Sequence, residues 1–400
     1  MIPIARPTLG EAEVQRVAET LRSGWVTQGP QVQAFESAFA QQVGAPHACA
    51  VSNCTAALHV ALTALGIGPG DEVITVSHSF VATANAIRYC GATPVFVDID
   101  PATYNMDPAH IEACIGSRTR AILCVHQIGM PCSMEAILKL AERHQLPVVE
   151  DAACAIGSEI LMDGDRQAIG RPHGRIACFS FHPRKVLTTG DGGMLTTTDP
   201  ELDRQFRLLR QHGMSVSDSV RHTSNQVIFE RYDQLGFNYR MTDIQAAVGV
   251  EQLKRLPEII ARRRQLAEVY HQRLAAISGL MPPHEPAWAR SNWQSYAVRL
   301  PSWCDQRAIM QAMLDEGIST RRGIMCIHRE KSYPPDVWRS KRGVCDDMQK
   351  GCIDLRESEQ AQDRTLLLPL FHEMRDEQQA RVVQTLAQAV EAARPLERRP

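Results

Sequence analysis

Ala48-Cys-Ala-Val-Ser-Asn-Cys-Thr-Ala-Ala-Leu58 passes from a short apolar run, through a polar turn, into a helical pattern that continues to Leu65 and stops at Gly66. A short apolar run without strict alternation suits a strand buried on both faces, and a glycine just past the last helical residue is a helix stop. The alternation repeats downstream. Glu72-Val-Ile-Thr-Val76, Val95-Phe-Val97, Ala121-Ile-Leu-Cys-Val125 and Pro147-Val-Val149 read as strands, with helices such as Met134 to His144 between several of them. Strand and helix in turn predict an α/β fold with a mainly parallel sheet covered on both faces. Ligands of such sheets bind beyond the carboxyl ends of the strands, which points to Ser52-Asn-Cys-Thr55, Glu150-Asp151 and the segment after Phe179.

Past Gly193 the pattern turns helical, over Leu202 to Gln211 and Thr242 to Leu256, and Pro257 predicts a break before a long helix to Ile277. The turn-rich Met281-Pro-Pro-His-Glu-Pro286 opens a smaller region, so the chain divides into a large domain over 1–250 and a small one over 251–400. With 400 residues, 44% hydrophobic and 22% charged, the chain can bury a large core. A formal charge of -2 and dispersed basic residues give no field for nucleic acid. Arg262, Arg263 and Arg264 form the one basic cluster, read as a solvated helix face. The N-terminus shows no export signal, and no stretch reaches the roughly 18 apolar residues of a membrane span. A cytoplasmic protein with no membrane partner is expected. The twelve cysteines contain no Cys-x-x-Cys pair and read as reduced, small hydrophobes.

Four segments carry candidate chemistry. In Cys178-Phe-Ser-Phe-His-Pro-Arg-Lys185, followed by Val-Leu-Thr-Thr-Gly-Asp-Gly-Gly193, a strand end, a proline and a glycine-rich turn would hold Lys185 on rigid backbone. Pyridoxal 5′-phosphate (PLP) chemistry needs such a lysine, first as imine partner and then as the base that moves a proton; Ser180 could face a phosphate. Asp151, at the end of Val149-Glu-Asp151, could pair with a pyridine nitrogen or simply cap a loop. Cys54 and Thr55 open a helix whose free amides and dipole favour an anion, although N-capping alone also accounts for them. Phe80 begins the next helix and could stack on a ring or belong to the core.

The order and setting of these segments resemble the DegT/DnrJ/EryC1/StrS family of PLP-dependent sugar aminotransferases. The likeness covers almost the whole chain, through Ser23-Gly-Trp-Val-Thr-Gln-Gly-Pro30 with Phe35-Glu36, Gly68-Pro-Gly-Asp-Glu-Val73, Pro94-Val-Phe-Val-Asp-Ile-Asp100, Leu235-Gly-Phe-Asn-Tyr-Arg-Met241 and Asp243-Ile-Gln-Ala-Ala247. It implies the aspartate-aminotransferase-like fold (fold type I), with a mainly parallel seven-stranded sheet in the large domain and a smaller C-terminal α+β domain. It also implies Lys185 as imine lysine and acid/base, Asp151 on the pyridine nitrogen and Phe80 on the ring. Phosphate would be held by Cys54, Thr55 and Ser180, and by Asn238 reaching in from the second subunit of an obligatory homodimer. His126, His328 and Trp25 match positions near the substrate. Cys154, at a cofactor-binding position, replaces the glutamine that in the family touches the cofactor's phenolic oxygen, a substitution that alters that contact, and Arg321 and Arg322 are less usual for the family. Two arginines there could bind a diphosphate or the carboxylate of glutamate.

The implied reaction is ping-pong: glutamate leaves its amino group as pyridoxamine 5′-phosphate, and a 3-keto or 4-keto nucleotide-linked hexose takes it up. The amino sugar would serve a surface polysaccharide, a lipopolysaccharide or a glycosylated metabolite. Competing readings are a cyclitol or aminobenzoate-type aminotransferase of the same fold, and a non-catalytic PLP-binding regulator. A related branch dehydrates sugars and carries histidine at the imine position, which Lys185 argues against.

Overall fold

The computed structural model describes residues 1–216, 221, 224–341, 343 and 351–395. Strands β1 (His47–Val51), β2 (Glu72–Val76), β3 (Thr93–Val97), β4 (Thr119–Val125) and β5 (Val148–Asp151) come first. A hairpin of β6 (Glu159–Met162) and β7 (Asp165–Ala168) follows, then β8 (Ile176–Ser180) and β9 (Gly193–Thr197). Seven of these strands form the main sheet in the order β1-β9-β8-β5-β4-β2-β3. Pairing is parallel from β3 through β2, β4 and β5 to β8, and β9 runs antiparallel to both β8 and β1. The expected mainly parallel seven-stranded sheet is therefore present. Residues of β2, β8 and β9 are buried throughout, which explains why these strands show no polar alternation. The registers bring Val51 and Ser180 opposite Gly193 and set Asp151 beside both Val125 and Cys178, so the strand ends gather along one edge.

Helices α1 (Glu11–Ser23) and α2 (Pro30–Val43) precede the sheet; α3 (Cys54–Ala64), α4 (Ala82–Tyr89), the short α5 (Pro108–Ile111), α6 (Met134–Arg143) and α7 (Pro200–Leu209) connect or follow its strands. Phe35 and Phe39 of α2 meet the sheet edge-on, with centroids 5.1 Å from Phe181 and 5.0 Å from Phe179 respectively. Each such pair is worth ~0.5–1.5 kcal/mol beyond its buried area.

Helix α8 runs unbroken from Asp243 to Leu274 with Pro257 inside it, contrary to the break expected from the sequence. Leu253, Leu256, Ile259 and Ile260 on either side of the proline are all buried in the main core. A proline costs a helix ~3 kcal/mol, and burying two such side chains returns about that much. Farther along, Leu266, Ala267, Tyr270 and Leu274 pack into a second cluster with Tyr296, Val298, Leu366 and Leu368. The helix thus belongs to two cores.

That second cluster backs a smaller antiparallel sheet. Strand β10 (Ala289–Arg290) joins β6, whereas β11 (Tyr296–Arg299), β12 (Arg321–Arg322) and β13 (Thr365–Leu368) pair in the order β11-β13-β12. Helices α9 (Gln306–Asp315), α10 (Arg356–Arg364) and α11 (Asp376–Ala392) complete the C-terminal α+β part. The arginine cluster departs from its reading as a solvated face. Arg263 is buried and donates to the carbonyls of Trp293, Gln294 and Leu370; Arg264 donates to those of Ser291 and Gly157, and Arg262 to that of Met374. These guanidiniums satisfy loop carbonyls that the helix covers, and burial brings the Arg263 group down to about 10. Ten cysteines are free as expected, but Cys352 is disulfide-bonded, a correction to the all-reduced expectation. Among the described residues no helix is long and apolar enough to cross a membrane.

Candidate active site

Lys185 stands on a loop that β8 and β9 close at its base. The Phe181 amide bonds the Gly192 carbonyl, and the Thr189 amide and Thr188 hydroxyl both bond the Phe181 carbonyl. Inside the loop the Lys185 amide reaches the His182 carbonyl at 2.8 Å, and Gln294 holds the Arg184 carbonyl at 3.0 Å. The half-buried Lys185 side chain donates from Nζ to Cys154 Sγ at 3.0 Å. Burial works against its ammonium form, but Cys154, Cys54 and Asp151 outweigh that penalty and hold the amine above its ordinary range. The hydrogen bond to Cys154 and the nearby Asp151 carboxyl thus favour the ammonium form of Lys185.

Asp151 ends β5 and is nearly fully buried. Its Oδ2 accepts from Thr83 Oγ1 at 2.8 Å, its Oδ1 from the Ala153 amide at 3.2 Å, and Thr83 in turn lies 2.8 Å from Ser79 Oγ. Burial pushes the Asp151 carboxyl up, although the Thr83 and Ala153 hydrogen bonds favour the anion. Both direct donors are neutral, so among the described residues this buried carboxylate has no cation in hydrogen-bonding contact. A protonated pyridine nitrogen is such a cation, and the residues fit a PLP ring at this point.

The phosphate end fits as well. Cys54 is the first residue of α3, and Asn53 caps the helix by accepting the Ala56 amide at 2.8 Å. The amides of Cys54 and Thr55 belong to the first turn, whose N–H groups have no intrahelical acceptor. A Cβ at Gly193 would come within 2.5 Å of the Asn53 carbonyl, so glycine lets β9 lie directly against this turn. Ser180 Oγ, at the end of β8, accepts the His182 amide at 3.4 Å. Phe80 is 67% exposed, not a core residue, and its carbonyl accepts the amide of Thr83, which ties it to the helix start that reaches Asp151. Trp25 lies against Gly29, in the loop that Asp243 fastens through the amides of Gly29, Gln31 and Val32. Asn238 is exposed on the strand-like segment that bridges to Gln211, one residue from Tyr239, whose carbonyl accepts the Ser52 amide at 2.8 Å.

The two histidines expected near the substrate are both buried. His126 has a fully buried side chain; Nδ1 accepts the Cys132 amide at 3.0 Å, which leaves Nε2–H to donate to Glu150 Oε2, also at 3.0 Å. Glu150 accepts the His173 and Gly174 amides too, and these partners hold its carboxyl low although burial alone would raise it. His328 is likewise buried between Ser77 Oγ at 2.6 Å and Glu359 Oε1 at 2.9 Å, where it fastens the small domain to the end of β2. Each ring thus has both nitrogens on protein partners. Arg321 and Arg322 are exposed on β12, and the pair divides: Arg322 meets Glu330 at 3.5 Å, while among the described residues no carboxylate lies within ion-pair distance of Arg321. Arg321 and Arg184 repel one another, which, after burial, lowers the Arg184 group.

Thr83, Ser79 and Asn292 are not legible in the sequence as site residues. Thr83 and Ser79 sit in ordinary helix-start sequence, and Thr83, with Ser79 behind it, meets Asp151 only because β2 and β5 end on the same edge of the sheet.

Residues 7–387 match the DegT/DnrJ/EryC1/StrS aminotransferase family. The chain is 39% identical over 396 residues to the spore coat polysaccharide biosynthesis protein SpsC of Bacillus subtilis (strain 168), covering 98% of each. Among solved structures it resembles the aminotransferase TlmJ from Streptoalloteichus hindustanus, with TM-score 0.86 and 35% identity over 98% of this chain and 99% of that one. PseC of Helicobacter pylori, an aminotransferase involved in the biosynthesis of pseudoaminic acid, superimposes with TM-score 0.86 at 26% identity, over 98% of this chain and 99% of that one.

Proposed function

Since the chain belongs to the DegT/DnrJ/EryC1/StrS aminotransferase family and is an aminotransferase, we propose that it transfers the amino group of glutamate to a keto carbon of a nucleotide-linked hexose. The observation that carries the reading is the pairing of Lys185 with the Asp151 end of β5: the amine rests on Cys154, three residues past a buried carboxylate that no cation among the described residues contacts. PLP, when bound, supplies an electron-accepting ring on which an amino group can be held between two substrates. Asp151 would hold its pyridine nitrogen and Phe80 would cover a ring face. The phosphate would go to the amides of Cys54 and Thr55, to Ser180, and to Asn238 of the partner subunit. Lys185 would anchor the cofactor and move the proton at the substrate carbon, a task that typically contributes ~10²–10⁴-fold.

A homodimer is supported by an apolar stretch left open to solvent just before Asn238. Val227, Phe229 and Leu235 are each at least 85% exposed, an arrangement that a single soluble chain rarely keeps uncovered. Arg321, with Arg184 nearby, would take the diphosphate or the donor carboxylate. SpsC is named for spore coat polysaccharide biosynthesis and PseC for the biosynthesis of pseudoaminic acid, which supports an amino sugar made for a surface polysaccharide. The test is incubation with PLP, glutamate and a panel of 3-keto and 4-keto sugar nucleotides, with detection of the amino product by mass. Amination of a free cyclitol ketone with none of the sugar nucleotides converted would refute the reading.

A further inference from the structure

Cys154 is half-buried, and its Sγ is the acceptor for the Lys185 ammonium at 3.0 Å. The sulfur is not free to drift. Its own carbonyl accepts Asn292 Nδ2 at 2.8 Å, and the same nitrogen holds the Ile156 carbonyl at 2.8 Å. Asn292 is fully buried, with its amide on Ser158 Oγ at 3.0 Å, and Ser158 Oγ donates to the Gly129 carbonyl at 2.7 Å. At the other end of the loop, Asp151 Oδ1 accepts the Ala153 amide. Residues 151–158 are thus a bracket fixed at both ends, and Cys154 is the point at which it touches the lysine loop. A thiol on so rigid a mount can do what a side chain on a mobile loop could not: define where a flexible four-carbon amine rests.

We propose that Cys154 is a positioning residue for Lys185, holding the free amine in its resting place and setting how readily it attaches to the cofactor. The inference rests on the assignment of Lys185 made above. Cys154, Cys54 and Asp151 face the amine and stabilise its charged form, while burial opposes it and the next guanidiniums, Arg184 and Arg321, lie to one side. The ammonium cannot attack an aldehyde. Removal of the sulfur therefore frees a larger fraction of amine at neutral pH, but leaves it less well placed.

The experiment strips PLP from the full-length protein, adds it back, and follows attachment by absorbance. Borohydride reduction and peptide mass then confirm Lys185 as the attached residue. Cys154→Ala should attach PLP about threefold or more faster near neutral pH, with the rate profile displaced to lower pH, because weaker proton affinity at the nitrogen leaves proportionately more of it uncharged. Cys154→Ser, whose hydroxyl keeps a shorter-reaching acceptor, should fall between the two. In turnover, kcat should drop for the alanine variant with the donor KM held. Attachment rates and pH profiles equal to wild type in both variants, with thermal unfolding confirming that they fold, would overturn the inference alone. A wild-type protein that attaches no PLP at Lys185 would overturn this inference and the enzyme reading together.

Discussion

At the scale of single residues, the proposed chemistry rests on two groups whose charged forms burial opposes. The neighbours of Lys185 outweigh that penalty and favour its ammonium form, whereas burial pushes Asp151 toward its neutral form despite the Thr83 and Ala153 hydrogen bonds. Lys185→Ala should form no lysine–PLP imine absorbance band on adding PLP alone and lose at least the ~10²–10⁴-fold that a positioned proton-transfer group supplies, measured as product per minute at saturating substrates. Thr83→Val removes the hydroxyl that favours the Asp151 anion while keeping the shape of the side chain. A charge-assisted hydrogen bond of this kind is worth ~1.5–3 kcal/mol. The variant should accordingly bind PLP about tenfold or more weakly, as read by fluorescence titration. Equal affinity would mean that Thr83 only packs.

Among elements, the instructive contacts are those that local preference argues against. Gly249 sits in mid-helix, where alanine would gain about 1 kcal/mol of propensity. A Cβ there would come within 2.7 Å of the Phe35 ring, and overpacking of that kind costs ~1–3 kcal/mol. The steric term is the larger, so Gly249→Ala should lower the thermal midpoint despite the better helix former. Glu150 ties β5 to the loop before β8 and to His126. Its folded carboxyl is held below the ordinary value of 4.5, so its contribution is fully present above that pH and drains away as pH falls below it. Glu150→Ala should cost ~3–5 kcal/mol at neutral pH. Glu150→Gln should flatten the acid limb of stability, read by unfolding at a series of pH values.

For the whole molecule, the open question is which subunit Asn238 serves. Lys185→Ala and Asn238→Ala chains, each inactive alone, can be mixed after mild dissociation. If Asn238 acts in the neighbouring site, each mixed dimer holds one doubly damaged and one intact site, and activity should return to roughly a quarter of wild type. If it acts within its own chain, the mixture stays inactive.

Sequence alone determined the α/β class and singled out the strand ends, with Lys185 and Asp151, as the proposed site. Those conclusions depend on periodicity and on ordered motifs, and both are local along the chain. Tertiary structure decided what depends on distant contacts. Pro257 stays helical because two cores flank it, and Arg263 is buried because loops at Trp293 and Leu370 need donors. His126 and His328 turn inward to Glu150 and Glu359, and Cys154, which the sequence pointed toward the cofactor, meets Lys185 across 31 residues of chain. Hydrogen bonds and burial between remote segments leave no periodic trace, so only the packed fold reveals them.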